Sequence, residues 1–167
     1  EVTHPVFIAN QLRPGEEYAL TVTAGSKHGL SSESNTVELM ALADIANLNV
    51  THLTDATVTF TWDPVPGATS YRIRMREAVL KGAWTDVMTT EETLCVVEEL
   101  SKNVNYEFEV AALWRDHVQN NVQHLVATPL APPSGLKLSR VLDQGIQLQW
   151  DADPMTDTAI DFRRADD

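Results

Sequence analysis

Apolar residues in this chain recur at every second position in short bursts. Val58, Phe60 and Trp62 alternate with Thr57, Thr59 and Thr61, the signature of a strand buried on one face. Leu48 and Val50 alternate with Asn49 and Thr51, and Tyr71, Ile73 and Met75 with Arg72, Arg74 and Arg76. Tyr106, Phe108, Val110 and Ala112 give the longest alternation. Trp84 with Val87, the β-branched run 93–97 around Cys95, and residues 122–128 supply three further segments. Asp63-Pro64-Val65-Pro66-Gly67 breaks the chain into a turn. Seven short strands and no helix are predicted. A strand that is apolar on one face must bury that face against a second sheet, so the pattern predicts an all-β sandwich.

The pattern repeats. Leu12 and Leu100 stand 88 positions apart, and the same offset joins Tyr18 to Tyr106, Ala24 to Ala112, Leu48 to Leu136 and Trp62 to Trp150. Val58-Thr59-Phe60-Thr61-Trp62 matches Ile146-Gln147-Leu148-Gln149-Trp150 at that offset. Solenoid repeats run about 20–50 residues, so this interval is the size of a domain. The expected organisation is a complete unit at 43–128, the C-terminal half of a preceding unit at 1–42, and the N-terminal part of a third at 131–167. The two end pieces sum to one unit, short of the equivalents of residues 80–88. Each would carry a one-sided apolar face and unpaired strand edges. They leave opposite ends of a central body on the order of 30–40 Å long. They are therefore expected to meet only between molecules, with the isolated piece associating head to tail. The joints, 40–44 and 129–133, are short, which predicts a semi-rigid string of units.

In combination these residues resemble a fibronectin type III domain. The resemblance rests on Leu48-x-Val50, then Val58-x-Phe60-x-Trp62 followed by Asp63-x-Val65-Pro66-Gly67. It continues through Tyr71-x-Ile73, Trp84-Thr85-x-Val87, Leu100 and Tyr106-x-Phe108-x-Val110-x-Ala112. Leu12-Arg13-Pro14-Gly15-Glu16-Glu17-Tyr18 resembles the closing half of such a unit, and Ala131-Pro132-Pro133-Ser134-Gly135-Leu136 its opening. The resemblance covers essentially the whole chain. It implies an immunoglobulin-like seven-stranded β-sandwich in tandem repeats, with Trp62 and Trp150 as core anchors. It also implies that Tyr18 and Tyr106 form tyrosine corners, each hydroxyl bonded to nearby backbone. Two departures stand out. Ser101-Lys102-Asn103 replaces a Pro-Gly turn, and Gly25 replaces an apolar β-branched residue, which weakens a strand interior.

Charge and chemistry narrow the function. Across 167 residues, 24 Asp and Glu oppose 12 Lys and Arg, a net charge of −12. Such a surface repels phosphate backbones and anionic lipid, so no nucleic-acid partner is expected. No apolar run approaches the length of a span, so no direct membrane insertion is expected in this segment. Glu1-Val2-Thr3-His4-Pro5 lacks the basic-then-apolar start of a signal peptide, so a leader is not expected in this piece. A single cysteine, Cys95, excludes an intramolecular disulfide and a Cys-based zinc site. It falls at the repeat position of Phe7 and reads as a buried thiol that packs as a small apolar residue. His4, His28, His52, His117 and His124 show no metal-ligand spacing. Asp151, Asp153 and Asp157 lack the Gly and terminal Glu of a calcium loop. Glu91-Glu92 and Glu98-Glu99 read as solvated edges. With no nucleophile elbow and no phosphate loop, the chain is read as non-catalytic, with no cofactor and no metal.

Three candidate sites follow. Arg72, Arg74 and Arg76 form a cationic stripe, read either as a dock for an acidic ligand such as a sulphated glycan or as half of a cross-strand ion-pair ladder. The resemblance places Glu107 and Glu109 outward on the neighbouring strand, which favours the ladder. Trp114-Arg115-Asp116-His117 lies in the loop between the last two strands, where an aromatic beside an Arg suits recognition. Some members of the family bind integrins there through Arg-Gly-Asp. Arg115-Asp116 lacks the Gly, so that activity is not carried over, and Trp114 lying over the sheet edge is the structural alternative. Asn49-Val50-Thr51 is an N-glycosylation sequon with Asn49 in outward phase.

The expected function is a non-catalytic extracellular or cell-surface module. It would serve as spacer and protein–protein recognition segment in an adhesion protein or receptor ectodomain, with unidentified protein ligands. The alternatives are an accessory spacer of a secreted polysaccharide-degrading enzyme and an intracellular muscle-type structural array. A cytokine-receptor module is disfavoured, because Trp-Ser-x-Trp-Ser and paired cysteines are absent.

Overall fold

A computed structural model describes residues 6–118, 122–151 and 158–161. Near the start, β1 (Glu17–Leu20) pairs antiparallel with β4 (Val37–Met40), and the short β2 (Gly25–Ser26) pairs with β3 (Gly29–Leu30). The central region then builds two sheets. One contains β5 (Asn49–Leu53), β6 (Val58–Thr61) and β9 (Leu94–Val97) in the order β5-β6-β9. The other contains β7 (Ser70–Glu77), β8 (Thr85–Thr90), β10 (Tyr106–Trp114), β11 (His117–Val118) and β12 (Gln123–Ala127). Its order is β11-β10-β7-β8, and β12 also pairs with β10. All seven predicted strands are present, with β12 the closing strand expected at 122–128, while β11 is an additional short strand where a loop was expected. A hairpin of β13 (Ser134–Leu142) and β14 (Gly145–Asp151) follows. No helix occurs among the described residues.

The alternation places the core between the two central sheets. Val58, Phe60, Ile73, Phe108 and Val110 are fully buried. Phe60 and Phe108 meet from opposite sheets with ring centroids 5.2 Å apart. Trp62 is 4% exposed and sits edge-on to Tyr71 at 5.3 Å. The Tyr71 hydroxyl accepts the Val65 N–H at 2.8 Å, so the same ring that fills the core also ties down the turn at 64–67. Cys95 is buried, and burial pushes its thiol up to about 11, because a thiolate there would lose its hydration. One detail departs from simple alternation. The register slips between Val50 and His52, and this bulge leaves Thr51 as an extra residue while His52 faces Thr59.

The tyrosine-corner geometry appears twice. Tyr106 accepts the Ser101 N–H at 3.1 Å, and Tyr18 accepts the Arg13 N–H at 2.8 Å. Gly15 and Asn103, at equivalent positions, both adopt positive φ, 83° and 61°. Asn tolerates this region better than most residues, so the Ser101-Lys102-Asn103 segment makes the turn without glycine.

The flanks differ from the centre. β10 runs for nine residues, whereas β1, at the 88-residue offset from it, breaks after Leu20. There the Ser34 and Ser31 N–H groups still donate to Val22 O and Ala24 O, but the N–H groups of Val22 and Ala24 donate to the hydroxyls of Ser34 and Ser31 rather than to backbone, and Gly25 follows directly. Trp150 is a correction. It is only half-buried, because among the described residues no second sheet covers β13 and β14, whose Leu136, Leu138, Val141 and Ile146 are exposed. Phe7 is likewise 69% exposed, unlike its repeat partner Cys95. His4, Asp153 and Asp157 lie outside the described residues.

Entry and exit lie at opposite ends of the central sandwich. Ile45 enters the core beside the turn at 64–67. At the far end, Pro129 is fully buried, the Leu130 N–H donates to Thr54 O at 2.9 Å, and the Asn103 N–H donates to Pro129 O at 2.9 Å.

Candidate functional site

The first cluster sits at the joint between residues 6–42 and the central sandwich. β10 and β11 are joined by a tight turn at Arg115-Asp116, with Arg115 at φ 53°. The Thr69 hydroxyl accepts the Arg115 N–H at 2.9 Å, and the Thr69 N–H donates to Leu113 O at 2.7 Å. The turn is thus fixed by the residue that precedes β7. Held this way, the Arg115 guanidinium lies 4.1 Å over the Trp114 ring. It donates to Glu38 at 2.8 Å and to Glu17 at 3.2 Å. Pairing of β1 with β4 puts Glu38 opposite Ala19, two residues from Glu17, so both carboxylates share one face. The Glu38 hydrogen bond, aided by the charges of both carboxylates, moves the guanidinium above its ordinary range.

Two close approaches complete the joint. Gly67 is at φ 84°, and a Cβ there would meet Met40 Sδ at 2.7 Å. Gly15 is at φ 83°, and a Cβ there would meet Pro66 Cβ at 3.2 Å. Across the joint, Val37, Leu39, Met40, Leu42, Trp114 and His117 line a crevice of about 280 Å³. Trp114 is only 6% exposed, with the His117 ring stacked on it at 6.1 Å. The indole offered by sequence as a recognition aromatic therefore packs inside the joint. Asp116 and His117 are exposed.

The second cluster covers the outer face of the larger sheet. The register sets Arg76 against Glu107 and Arg74 against Glu109. Arg76 Nε reaches Glu107 at 2.7 Å, and Arg74 reaches Glu109 through Nε at 2.8 Å and through a terminal nitrogen at 2.5 Å. Arg72 faces Ala111 on one side and Thr89 on the other. Its Nε is buried without a hydrogen-bond partner among the described residues. The stripe is thus two neutralised arginines and one that meets no acid across the sheet. Trp84 closes over the pairs, 4.2 Å from the Arg76 guanidinium and 5.6 Å from that of Arg74. His124 stands beside Trp84 at 5.6 Å, with Nδ1 3.5 Å from Glu107. Glu109, although in outward phase, is 5% exposed beneath this layer.

Asn49 is exposed at the start of β5, an edge strand, and its amide donates to Asn47 O at 2.8 Å. Sequence reasoning missed Glu17, Glu38, Trp84 and His124. Only the carboxylates could have been sought, as acids in the segment that precedes the central sandwich. Among the described residues no group of three or more His, Cys, Asp or Glu could hold a metal ion.

The family comparison agrees with this architecture. The family model for the Fibronectin type III domain matches residues 43–123. Tenascin-R of Gallus gallus is 28% identical over 106 residues, 63% of this chain and 8% of the relative. Tenascin-N of Homo sapiens is 27% identical over 141 residues, 84% of this chain and 11% of the relative. The chain therefore spans about a tenth of the length of these curated relatives. Among solved structures, the fn3 domain of human collagen alpha-1(XX) chain is 28% identical with a TM-score of 0.49, covering 56% of this chain and 91% of that one.

Proposed function

With residues 43–123 a fibronectin type III domain, we propose that this chain is a non-catalytic spacer and recognition segment of a modular extracellular-matrix or adhesion protein. In this reading the complete unit at 43–128 is flanked by parts of two others, at 1–42 and 131–167. The doubled tyrosine corner and the positive φ shared by Gly15 and Asn103 support that tandem organisation. The tenascin relatives support the matrix setting, and what those proteins do as wholes comes to this chain only as part of the proposal. Partners are proteins, and the outer layer of Trp84, Arg72, Arg74, Arg76 and His124 is the surface offered to them. Its composition, an indole among guanidinium groups, is that of interface anchors.

The observation that carries the spacer role is the joint. Arg115 grips two carboxylates of the preceding piece, and Gly15 and Gly67 let the two backbones close on Pro66 and Met40. A joint so fixed sets the direction in which one unit follows another. The test is pulsed electron–electron distance measurement between spin labels at Lys27 and Asp86, one on each side. A narrow distance distribution is expected, broadening in Arg115→Ala and in Glu17→Ala with Glu38→Ala. An unmutated chain already as broad as these variants removes the spacer reading.

A further inference from the structure

We propose that Asn49 carries an N-linked oligosaccharide whose first sugars lie over Leu94 and Val96 on the outer face of the β5-β6-β9 sheet. The inference rests on the extracellular reading above and adds a modification site to it. Asn49-Val50-Thr51 is the only Asn-x-Ser/Thr sequence in the chain. By itself such a triplet says little, and the surrounding sheet says more. The register sets Asn49 opposite Thr61, and Thr61 opposite Leu94. Directly opposed residues project from the same face, so Asn49, Thr61 and Leu94 form one row. The bulge sets His52 opposite Thr59, and Thr59 opposite Val96, as a second row on that face. Leu94 and Val96 are 47% and 45% exposed. They are an apolar pair on an otherwise polar face and on an edge strand, where uncovered apolar surface invites association. Two strand spacings, roughly 10 Å, separate Asn49 from Leu94, which the first sugars of a glycan can cross.

The local chemistry permits the attachment. One amide hydrogen of Asn49 is donated to Asn47 O at 2.8 Å, and a glycosylated amide keeps one N–H as donor. In the step itself the amide nitrogen attacks the anomeric carbon of a lipid-linked pyrophosphoryl oligosaccharide. One N–C bond replaces one C–O bond, the lipid pyrophosphate leaves, and the transferase takes the amide proton. Among the described residues β5 pairs only with β6, so a sugar at Asn49 displaces no strand of them.

The chain is to be secreted from cultured animal cells behind an added leader and analysed by peptide:N-glycosidase digestion and glycopeptide mass spectrometry. The expected result is a single glycosidase-sensitive shift, lost in Asn49→Gln and in Thr51→Ala and kept in Thr51→Ser. A secreted chain with the native circular-dichroism spectrum and no sugar overturns the site. Asn49→Gln is expected to bind more of a hydrophobic dye than the glycosylated chain, and adding Leu94→Thr with Val96→Thr is expected to remove the excess. Equal dye binding with and without the sugar overturns the covering role. Protein from the natural source is measured in parallel. If it is bare while the leader-directed chain is modified, the extracellular reading falls and takes the modification with it, whereas a bare leader-directed chain refutes the site alone.

Discussion

Arg74→Met leaves Glu109 inside the outer layer without the guanidinium that gives it two hydrogen bonds. The side chains of this pair are unequally covered, with Arg74 28% exposed and Glu109 only 6%. The cost of breaking the pair therefore depends on which partner goes. A buried carboxylate deprived of its cation typically costs about 3–5 kcal/mol. Because Arg74 borders solvent and water can follow its removal, a loss of about 2–3 kcal/mol is expected for Arg74→Met. Glu109→Gln leaves a guanidinium that still reaches water and still faces Trp84, so a loss of about 1 kcal/mol is expected. Arg74→Met with Glu109→Leu removes both charges and fills the space, and should return to within about 1 kcal/mol of the parent. Urea unfolding at neutral pH reads all three. With a slope of about 1–3 kcal/mol per molar, Arg74→Met should lower the midpoint by roughly 1–2 M. Equal losses from the two single changes, or a double variant as unstable as their sum, would refute the claim that Glu109 is held in a dry layer. The Arg76–Glu107 pair, exposed 22% and 20%, should lack the asymmetry.

Other outcomes follow from the same geometry. Tyr106→Phe deletes the bond from Ser101 and should cost about 1 kcal/mol, or about 4–8 °C in a thermal melt of a domain this size; a change within error denies the tyrosine corner a stabilising role. Cys95 has a raised thiol pKa in the folded state, so its contribution is complete below the ordinary thiol range and is lost as pH climbs through about 11. By pH 11 the parent should have lost about 2 kcal/mol more than Cys95→Ala, which parallel alkaline denaturation curves would detect. Light scattering over a wide concentration range should find association of the isolated chain through its open flanking faces, and a strict monomer throughout rules that out.

Alternation made the central sandwich legible, because a strand covered on one side cannot hide its period. Val58-x-Phe60-x-Trp62 and Tyr106-x-Phe108-x-Val110 each landed with the apolar set inward. The ladder of Arg74 and Arg76 against Glu109 and Glu107 was also legible, since phase alone aligned the charges once the two strands were neighbours. Trp84 was not. It stands just before β8, outside any alternation, and its place over Arg76 is decided by the 78–84 connection. Glu17 and Glu38 were invisible for a different reason. They lie 98 and 77 positions from Arg115, and only the placement of the β1-β4 pair against the central sandwich brings them together. The bulge at Thr51 and the half-buried state of Trp150 depend on pairing and coverage that residue identity does not encode.

The chain enters the central sandwich ahead of β5 and leaves it after β12, at the opposite end, where Leu130 is strapped to Thr54. A pull applied at these two ends would run lengthwise along both strands. Their ladder bonds to β6 and β10 lie across that direction. They would be sheared together, where a peeled hairpin gives way one bond at a time. Resistance to tension is then a rate, set by the barrier to that concerted slip, and a substitution can weaken the fold at rest while leaving its grip under force unchanged.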